Sequence, residues 1–368
     1  MNQNIIQSFT QLIQLTNKKI REAQKNQVSP KEISAMSFKI RNYVKVKKII
    51  ESYPDEITSG SQLNNIKGIG KSTIARIDEI LDSGTLAELP TPDEGETHNN
   101  LVEEEKRKKL LTITGVGDRK CDTLLAKDIT LEKLQEELKN LDNQIENIPE
   151  GSILQELTHH QLVGLKYLDD INLRIPRKEI EKLEVKIKKH LSMIDPKLEM
   201  IVCGSYRRQL PNSGDIDMLV LHPDLKTPED IAAHDKNFLP LLVDKLDKKK
   251  ILVAHLTKDG LTKYMGLCRL TVKSKARRID IRFIAYQSKA AAMLYFTGSG
   301  NFNEIMRSEA LKKNYTINEY GIYQCEVIRD KKNKKVKKVI KGEMIPTYEE
   351  KDIFDVIGKT YVEPQNRK

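Results

Sequence analysis

Two closely spaced aspartates are the residues of this sequence whose pattern most clearly suggests chemistry. Asp215 and Asp217 are separated by one residue in the run Gly214-Asp215-Ile216-Asp217. Because side chains alternate along a strand, both carboxylates project from one face while Ile216 and Met218 enter the core. Two carboxylates held this close repel each other unless a cation lies between them, and Mg²⁺ prefers such hard oxygen ligands. The pair therefore predicts a divalent-metal site.

A third aspartate fits the same interpretation. In the run Arg278-Ile279-Asp280-Ile281-Arg282, Asp280 is the only acid on a strand face that otherwise bears arginines. If this strand lies beside 215–221, the three carboxylates can hold two metal ions about 3.5–4 Å apart. One ion would lower the pKa of an attacking 3′-hydroxyl, and the other would hold a triphosphate. A lone Asp-x-Asp pair is more often a solvated strand edge, but Asp280 favours the metal site.

A glycine-serine pair precedes the acidic pair. Gly204-Ser205 follows the strand-like segment 200–203 and comes before a short helix expected to begin near Tyr206. A glycine at this point lets backbone N–H groups approach an anion, and the helix N-terminus adds partial positive charge. Arg208 adds a possible bidentate phosphate contact. Most Gly-Ser pairs are ordinary turns, so the argument rests on the position of this pair just before Asp215.

Two Gly-x-Gly turns form a weak internal repeat. Gly68-Ile69-Gly70 and Gly115-Val116-Gly117 each follow one short helix and open another, with Lys71 or Asp118-Arg119-Lys120 directly after them. A single turn of this kind is usually a plain connection. Two of them, each followed by basic residues, favour helix-hairpin-helix motifs whose backbone binds DNA phosphates without reading base sequence.

Lysine is concentrated near the C-terminus. Seven lysines occur within eleven residues, at Lys331, Lys332, Lys334, Lys335, Lys337, Lys338 and Lys341. Such a run is either a salt-sensitive contact with a nucleic-acid backbone or a solvated hairpin tip. The sequence alone leaves both interpretations open.

The composition fits a multidomain protein with a polyanionic partner. The chain has 368 residues, a formal charge of +10 and 38% hydrophobic residues. No apolar run is long enough to cross a membrane, and the N-terminus does not resemble a secretory signal, so we expect an intracellular protein. The four scattered cysteines predict reduced, packed thiols; they are Cys121, Cys203, Cys268 and Cys325.

Hydrophobic periodicity predicts helices first and a sheet later. Residues 1–90 look helical, with a break at 53–56 and a helix over 72–81. The proline-bearing, acidic stretch 90–105 predicts a linker. A second helical block over 107–190 contains a polar segment at 135–158 that predicts a loop. Alternating patterns then predict four strands, at 200–203, 215–221, 264–270 and 277–286.

Several long motifs, which follow one another in the same order, resemble those of a known family. The segments that match are VCGSYRRQLPNSGDIDMLVLHP, RRIDIRFI, LYFTGS, MRSEALKKNYTINEYGIY and EKDIFDVIGKTYVEP. They resemble the family X DNA polymerases, and the similarity extends from about residue 5 to the C-terminus. The resemblance implies an α+β multidomain fold. Its parts are a helical, lyase-like domain with the first hairpin (1–90), a helical DNA-binding subdomain with the second (91–172), a nucleotidyltransferase-type palm with a mixed β-sheet (173–286), and an α/β subdomain that binds the nascent base pair (287–368).

The resemblance also assigns roles by position. Asp215, Asp217 and Asp280 match the ligands of two Mg²⁺ ions, with Mn²⁺ as a possible substitute, and Asp280 matches the acceptor of the primer-hydroxyl proton. The dNTP-binding positions are Arg174, Gly204, Ser205, Arg208, Ser213, Gly214, Tyr295, Phe296, Gly298 and Asn303. The DNA-binding positions are Lys39, Gly68, Gly70, Lys71, Gly115, Gly117, Arg278, Arg282, Arg307 and Tyr320, and Glu319 joins Tyr320 in a closing network. Backbone carbonyls for a monovalent cation, K⁺ or Na⁺, match Asn64, Ile66, Ile69, Leu111, Ile113 and Val116.

The sequence departs from the family pattern at one position of chemical importance. The family's Schiff-base lysine falls on Arg76, and a guanidinium cannot supply the neutral amine that attacks an abasic aldehyde. Lys71 and Lys39 are the candidate substitutes for that amine. Gly300 and Glu304 also differ from the family, in that they replace an acidic residue over the incoming base and a basic residue facing the template.

The expected function is therefore templated gap filling on DNA, in base excision repair, with gapped or nicked double-stranded DNA and dNTPs as partners. We expect a monomer, located in a eukaryotic nucleus or, if encoded by a virus, in the virion or host cytoplasm. A template-independent nucleotidyltransferase shares the Gly-Ser and Asp-x-Asp pattern, but the two hairpins, Asn303 and Arg307 argue against it. A DNA-end-binding scaffold without activity is disfavoured because all three carboxylates are present.

Overall fold

The computed structural model describes residues 2–26, 28–66, 68–89, 94–257, 260–329 and 336–367. It divides the chain into two compact units, 1–101 and 102–368. Of the C-terminal lysine run, Lys331, Lys332, Lys334 and Lys335 lie outside the described residues, as does Lys67 of the first hairpin.

The first unit is helical, as its periodicity predicts. Its helices are α1 (Gln3–Lys25), α2 (Pro30–Glu51), α3 (Lys71–Ser83) and the first part of α4 (Glu94–Leu110), with a short 3-10 helix at Gly60–Leu63. Ser29 caps α2 by accepting a hydrogen bond from the backbone N–H of Glu32. The apolar faces of the helices form one core, in which Phe9 meets Tyr43 edge to face at 6.1 Å.

The boundary between the two units falls within the predicted linker over 90–105, and this segment is helical from Glu94 onward. Helix α4 ends with three basic residues in its last turn, and acidic residues open it at Glu94 and Glu96. Acids at the N-terminus and bases at the C-terminus of a helix stabilise its dipole. This charge order favours a helix in a stretch with few large apolar residues.

The second unit opens with short helices: α5 (Asp118–Ala126), α6 (Leu131–Asn140), α7 (His159–Lys166) and α8 (Leu168–Ile171). The loop predicted at 135–158 is confirmed for 141–152, but α6 extends to Asn140 and a 3-10 helix forms at Ile153–Glu156. Asp142, Asn143 and Asn147 have positive φ angles in this loop. Asn and Asp tolerate that backbone conformation better than most residues do.

A five-stranded sheet forms the centre of the second unit. In its described residues, this part of the chain contains seven strands and four helices, in the order β1 (Ile175–Pro176), α9 (Arg177–Ser192), β2 (Glu199–Val202), α10 (Gly204–Arg207), β3 (Asn212–Ser213), β4 (Ile216–Leu221), α11 (Pro228–Ala233), α12 (Phe238–Lys248), β5 (Leu252–His255), β6 (Lys263–Cys268) and β7 (Arg277–Phe283). The order in the sheet is β2-β4-β7-β6-β5. Only β4 and β7 are parallel, so the sheet is mixed, as expected.

The four predicted strands are confirmed with small shifts at their ends. The largest shift is in β7, which stops at Phe283 because residues Tyr286–Ser288 turn into a 3-10 helix. Inward residues of the strands pack against α9 and α12, and this cluster is the largest core of the unit.

The last part of the chain combines helices with a small sheet. It contains α13 (Lys289–Thr297), α14 (Gly300–Lys312), β8 (Tyr315–Ile317), β9 (Ile322–Arg329), β10 (Val336–Ile345) and α15 (Glu350–Val356). The three strands are antiparallel in the order β10-β9-β8.

The four cysteines are all buried and reduced, as predicted. In the part of the chain that the structure describes, no helix is both long enough and apolar enough to cross a bilayer.

Candidate active site

Three aspartates converge on one face of the five-stranded sheet. Asp217 of β4 and Asp280 of β7 are directly paired across neighbouring parallel strands, and Asp215 lies just before β4. One carboxylate oxygen from each residue lies within 4.8 Å of the others. The pairing of β4 with β7 therefore brings together the three side chains that were expected on one face of the sheet.

Burial, more than the neighbouring charges, raises the pKa of two of these aspartates. Burial, followed by the charges of Asp215 and Asp280, raises the pKa of Asp217 to about 7. Burial is also the main cause of the raised pKa of Asp280, and Arg278 acts in the opposite direction. Among the described residues, Oδ1 of Asp280 is buried and has no hydrogen-bond partner. A cation bound here would stabilise the ionised form of the three neighbouring carboxylates and would give this buried acceptor a partner.

Two arginines flank Asp280 on the same strand face. Arg278 forms an ion pair with Asp215, and the guanidinium of Arg282 lies 5.7 Å from the ring centre of Phe296. Both residues are predicted DNA contacts, but here Arg278 neutralises one of the three candidate metal ligands. This ion pair is not evident from the sequence, which places the two residues far apart.

The Gly-Ser turn lies directly against the acids. Gly204 has a φ of +56°, and a Cβ atom built on it would come within 2.2 Å of Oδ2 of Asp217. The backbone N–H of Cys203 donates to the carbonyl of Asp217 at 2.8 Å. Helix α10 begins at Gly204, earlier than the expected start near Tyr206. The turn and the carboxylates thus form one compact unit that excludes a side chain at position 204.

A second group of predicted residues lies at the small β1–β3 sheet. Arg174 donates from Nε to Oδ1 of Asn212 at 2.8 Å and from Nη2 to the Asn212 carbonyl at 3.1 Å. Ser213 of β3 is buried and pairs with Ile175, and Nη1 of Arg174 lies beside Gly214. Arg174, Ser213 and Gly214 are therefore close together, and Gly214 leads into Asp215.

Arg208 joins the Gly-Ser turn to the end of α13. Its Nη1 donates to the carbonyl of Thr297 and lies against Gly298, which has a φ of +66°. Burial lowers the pKa of Arg208, although the charges of Asp217 and Asp215 partly oppose that shift. Arg208 is therefore within electrostatic reach of the carboxylates.

The predicted base and sugar contacts form a chain of interactions on α13 and α14. Tyr295 and Phe296 meet edge to face at 5.1 Å. Nδ2 of Asn303 donates to the Tyr295 carbonyl at 2.7 Å, and Nε of Arg307 donates to the Asn303 carbonyl at 3.2 Å. The Arg307 guanidinium also lies 5.8 Å from the ring centre of Tyr295. The Asn303 and Arg307 side chains thus each donate to a backbone carbonyl of α13 or α14.

Glu319 and Tyr320 lie in the turn between β8 and β9. Asn318 accepts hydrogen bonds from the backbone N–H groups of Tyr320 and Gly321, and Tyr320 is 50% exposed. Among the residues that the structure describes, neither the Glu319 nor the Tyr320 side chain is hydrogen-bonded to Arg307.

The two Gly-x-Gly turns share one geometry. In the first unit, Gly70 caps α3 and the N–H of Ile69 donates to the Ile66 carbonyl at 3.0 Å. In the second unit, Gly117 caps α5 and the N–H of Val116 donates to the Ile113 carbonyl at 3.0 Å. Gly68 and Gly115 have positive φ angles in the matching positions. The repeat predicted from the sequence is therefore a structural repeat.

Local contacts differ between the two hairpins. The side chain of Lys45 packs against Gly68 in the first. In the second, Nε2 of Gln161 donates to the Gly115 carbonyl at 2.7 Å. Asn64 ends the 3-10 helix before the first turn, and Leu111 lies in the corresponding approach to the second.

Arg76 is held in place on α3. It forms an ion pair with Glu88, donates to the carbonyl of Ser72 at 3.3 Å, and lies 5.6 Å from the ring centre of Tyr43. The hydrogen bond with Glu88 is the main cause of its raised pKa. Lys39 on α2 and Lys71 at the start of α3 are both exposed.

A buried charge cluster next to Thr297 has no counterpart in the sequence-based predictions. Glu350 accepts from Nη2 of Arg207 at 2.5 Å and from Nη1 of Arg367 at 2.6 Å, and Arg207 also donates to Oγ1 of Thr297 at 2.5 Å. Arg367 is 1% exposed. Because 143 positions separate Arg207 from Glu350, no local pattern in the sequence indicates this pairing.

Comparison with family models matches three parts of this architecture. A family model described as DNA polymerase beta palm matches residues 174–286, one described as DNA polymerase beta thumb matches 292–368, and a helix-hairpin-helix domain model matches 2–86. The five-stranded sheet with its three aspartates falls within the first of these.

Two curated relatives extend the match along the chain. DNA polymerase lambda of Rattus norvegicus is 30% identical over 359 residues, which cover 96% of this chain and 56% of the relative. DNA polymerase lambda of Arabidopsis thaliana is 29% identical over 336 residues, covering 89% of this chain and 57% of the relative. The chain thus spans little more than half the length of these relatives. From its hairpins, its carboxylate-bearing palm and these matches, the chain belongs to the family X DNA polymerases and is related to polymerase beta.

Proposed function

We propose that this protein is a template-directed DNA polymerase that fills short gaps, transferring a nucleotide from a dNTP to a primer 3′-hydroxyl. The observation that carries the proposal is the convergence of Asp215, Asp217 and Asp280, with oxygens within 4.8 Å of one another, against a turn at Gly204 that leaves no room for a side chain. The polymerase lambda relatives support the same activity class.

The donor set fits two divalent cations. All three ligands are hard carboxylate oxygens, and the buried, unpartnered Oδ1 of Asp280 has a free acceptor position. Such ligands suit Mg²⁺, and Mn²⁺ accepts the same set. When bound, the ions would lower the pKa of the 3′-hydroxyl and neutralise charge on the triphosphate.

The remaining groups around the acids are suited to hold a triphosphate. Arg174, Arg208 and the backbone at Gly204-Ser205 and Ser213-Gly214 supply positive charge and N–H donors close to the carboxylates. Arginine binds phosphate oxygens through paired donors in fixed geometry. Asp280 is the proposed acceptor of the primer-hydroxyl proton.

Nucleotide binding requires a rearrangement on α13 and α14. The Asn303 amide group donates to the Tyr295 carbonyl, and Arg307 donates to Asn303. To contact the incoming base and the template, Asn303 and Arg307 must exchange these bonds for bonds to DNA and nucleotide. Tyr295 and Phe296 would pack beneath the sugar, Gly298 would face the nucleotide, and Glu319 and Tyr320 would join the closed network.

DNA binding is assigned to the two hairpins and to basic residues. The backbone at Gly68, Gly70, Gly115 and Gly117 would hold phosphates on the two sides of a gap, with K⁺ or Na⁺ at carbonyls of Asn64, Ile66, Ile69, Leu111, Ile113 and Val116. Lys39 and Lys71 would add phosphate contacts in the first unit, and Arg278 and Arg282 would contact DNA near the carboxylates. Such contacts position DNA without reading its sequence.

Cleavage of a 5′-sugar phosphate through a Schiff base is a separate question, because Arg76 occupies the position of the family's lysine. Its guanidinium is paired with Glu88 and cannot become a neutral amine. We therefore assign any residual lyase activity to Lys71 or Lys39.

A primer-extension assay on a one-nucleotide gap tests the proposal. We expect incorporation of only the nucleotide complementary to the template, and loss of extension in Asp280→Ala with gapped-DNA binding largely retained. Untemplated tailing would instead indicate a template-independent transferase. Gap binding without incorporation by the unmodified protein would indicate a scaffold.

A further inference from the structure

Helices α9 and α12 cover the side of the sheet that faces away from the three aspartates. Ile216, Met218, Ile279 and Ile281 point into the core that these helices form with the sheet. Because side chains alternate, Asp217 and Asp280 project from the opposite face. The outer surfaces of α9 and α12 are therefore remote from the path of the primer and nucleotide.

Lysines are frequent on this outer surface. Burial, followed by the charges of Lys245, Lys249, Lys186 and Lys189, lowers the pKa of the half-buried His190. Lys186 donates to the carbonyl of Leu270 at 2.9 Å. Within the described part of the chain, none of the four forms an ion pair with a carboxylate.

A groove adjoins these lysines. It has a volume of about 560 Å³ and is lined by Ile194, Leu241, Lys245 and Lys249, among others. Leu241 is 43% exposed, so the groove has an apolar wall as well as a basic rim. The acid that lines it, Asp244, is already paired with Lys248 at 2.7 Å. Nδ1 of His190 is buried without a hydrogen-bond partner.

Holding like charges together costs free energy unless an anion neutralises them. A nucleic-acid backbone would satisfy the lysines but would leave the apolar wall of Ile194 and Leu241 unused, since phosphate contacts need no hydrophobic groove. A peptide with acidic and apolar side chains would use both features, as peptides do when apolar anchors enter a groove with a polar rim.

We propose that this lysine groove, lined by Ile194, Lys236, Leu241, Lys245 and Lys249, binds an acidic peptide segment of a partner protein. Glutamate or aspartate side chains of that segment face the lysines, and one apolar side chain packs on Leu241 and Ile194. The proposal is independent of the polymerase activity, because the groove lies on the other side of the sheet from the carboxylates.

Fluorescence anisotropy with the full-length chain tests the proposal. The probe is a pool of labelled short peptides rich in glutamate and aspartate, each carrying a leucine or phenylalanine. We expect saturable binding that Lys245→Glu/Lys249→Glu weakens by about tenfold or more. The matched control Lys226→Glu/Lys351→Glu removes the same charge from exposed positions elsewhere and should bind within about twofold of the unmodified protein.

Three outcomes would overturn the proposal. One is the absence of saturable peptide binding, and another is an equal loss of binding in both double variants, which would indicate a general charge effect. The third is a single-stranded oligonucleotide that displaces the peptides and binds less well to Lys245→Glu/Lys249→Glu, which would assign the groove to nucleic acid. Leu241→Ser supplies a second test that leaves the charge unchanged, and unaltered peptide binding in that variant would contradict the apolar contact. Retained gap filling and cooperative unfolding in each variant establish that it is folded.

Discussion

Gly204 lies so close to Asp217 that any side chain at position 204 would collide with the Asp217 carboxylate. A Cβ atom on Gly204 would lie 2.2 Å from Oδ2 of Asp217, and the φ angle of Gly204 is +56°. Glycine is therefore required at this position for two reasons, the backbone conformation and the space occupied by a carboxylate. The backbone turn that would hold a triphosphate and the acid that would hold a metal cannot be altered independently.

Gly204→Ala should abolish nucleotide incorporation by displacing the Asp217 carboxylate. We expect extension on a one-nucleotide gap to fall by about a hundredfold or more, since misplacement of a reacting group by about 1 Å can cost this much. The left-handed conformation alone should cost about 1–2 kcal/mol of stability.

Gly151→Ala is the matched control for this substitution. Gly151 also has a positive φ, +83°, but a Cβ atom there meets nothing within 4 Å. It should lose similar stability in urea unfolding and retain extension. Equal losses of activity in the two variants would show that backbone strain, and not the collision with Asp217, is responsible.

Asp217→Asn should yield a protein that is inactive but more stable when divalent metal is removed. The folded-state pKa of Asp217 is raised from 3.8 to about 7, so ionisation opposes folding. This cost is absent below about pH 4, grows as pH rises towards 7 and is constant above that. At pH 8 in EDTA, the variant should gain about 2–4 kcal/mol in free energy of unfolding.

Urea unfolding at pH 8 and at pH 4 measures this effect. The gain should shrink strongly at pH 4, and Mg²⁺ should stabilise the unmodified protein much more than the variant. A gain that is independent of pH would show that the ionisation of Asp217 is not its cause.

The sequence predicted the carboxylate-bearing strand faces better than their environment. Alternation of polar and apolar residues placed Asp215 and Asp217 on one face of their strand and Asp280 on one face of its own, because a strand has only two faces. The ion pair of Arg278 with Asp215 was not predictable in this way. Two strands must first become neighbours, and that depends on the packing of the whole unit.

The conformation of the predicted linker was also not evident from the sequence. Prolines, acids and few large apolar residues indicated a linker over 90–105, where the boundary between the two units falls, but helix α4 begins at Glu94. A helix with little apolar surface can still be stabilised by the order of its charges, from acidic to basic along the axis. Hydrophobic periodicity does not detect that order.

Glu350→Ala should be strongly destabilising. Glu350 is 6% exposed and accepts hydrogen bonds from both Arg207 and Arg367. Its removal leaves two guanidinium groups in a buried setting without a counter-charge, a change that typically costs about 3–5 kcal/mol. Thermal and urea unfolding measure the loss. The triple variant Arg207→Met/Glu350→Leu/Arg367→Met should recover much of it, and a Glu350→Ala protein with unchanged stability would contradict the role of the cluster.

Arg76→Lys, combined with Glu88→Gln, should create a protein that forms a Schiff base with an incised abasic site. The unmodified guanidinium cannot react, whereas a lysine freed from Glu88 can supply a neutral amine next to Tyr43. Borohydride trapping should rise by about tenfold or more over the unmodified protein. Strong trapping by the unmodified protein that disappears in Lys71→Ala or Lys39→Ala would assign the reaction to one of those lysines instead.

Metal binding tests the central claim most directly. Electron paramagnetic resonance would measure Mn²⁺ bound to the protein on a one-nucleotide gap with a dideoxy-terminated primer and the matching dNTP. We expect two ions per protein in the unmodified chain and a loss of specific binding when Asp215, Asp217 and Asp280 are replaced together by asparagine. Undiminished binding of both ions by that triple variant would contradict the assignment of these carboxylates as the metal ligands.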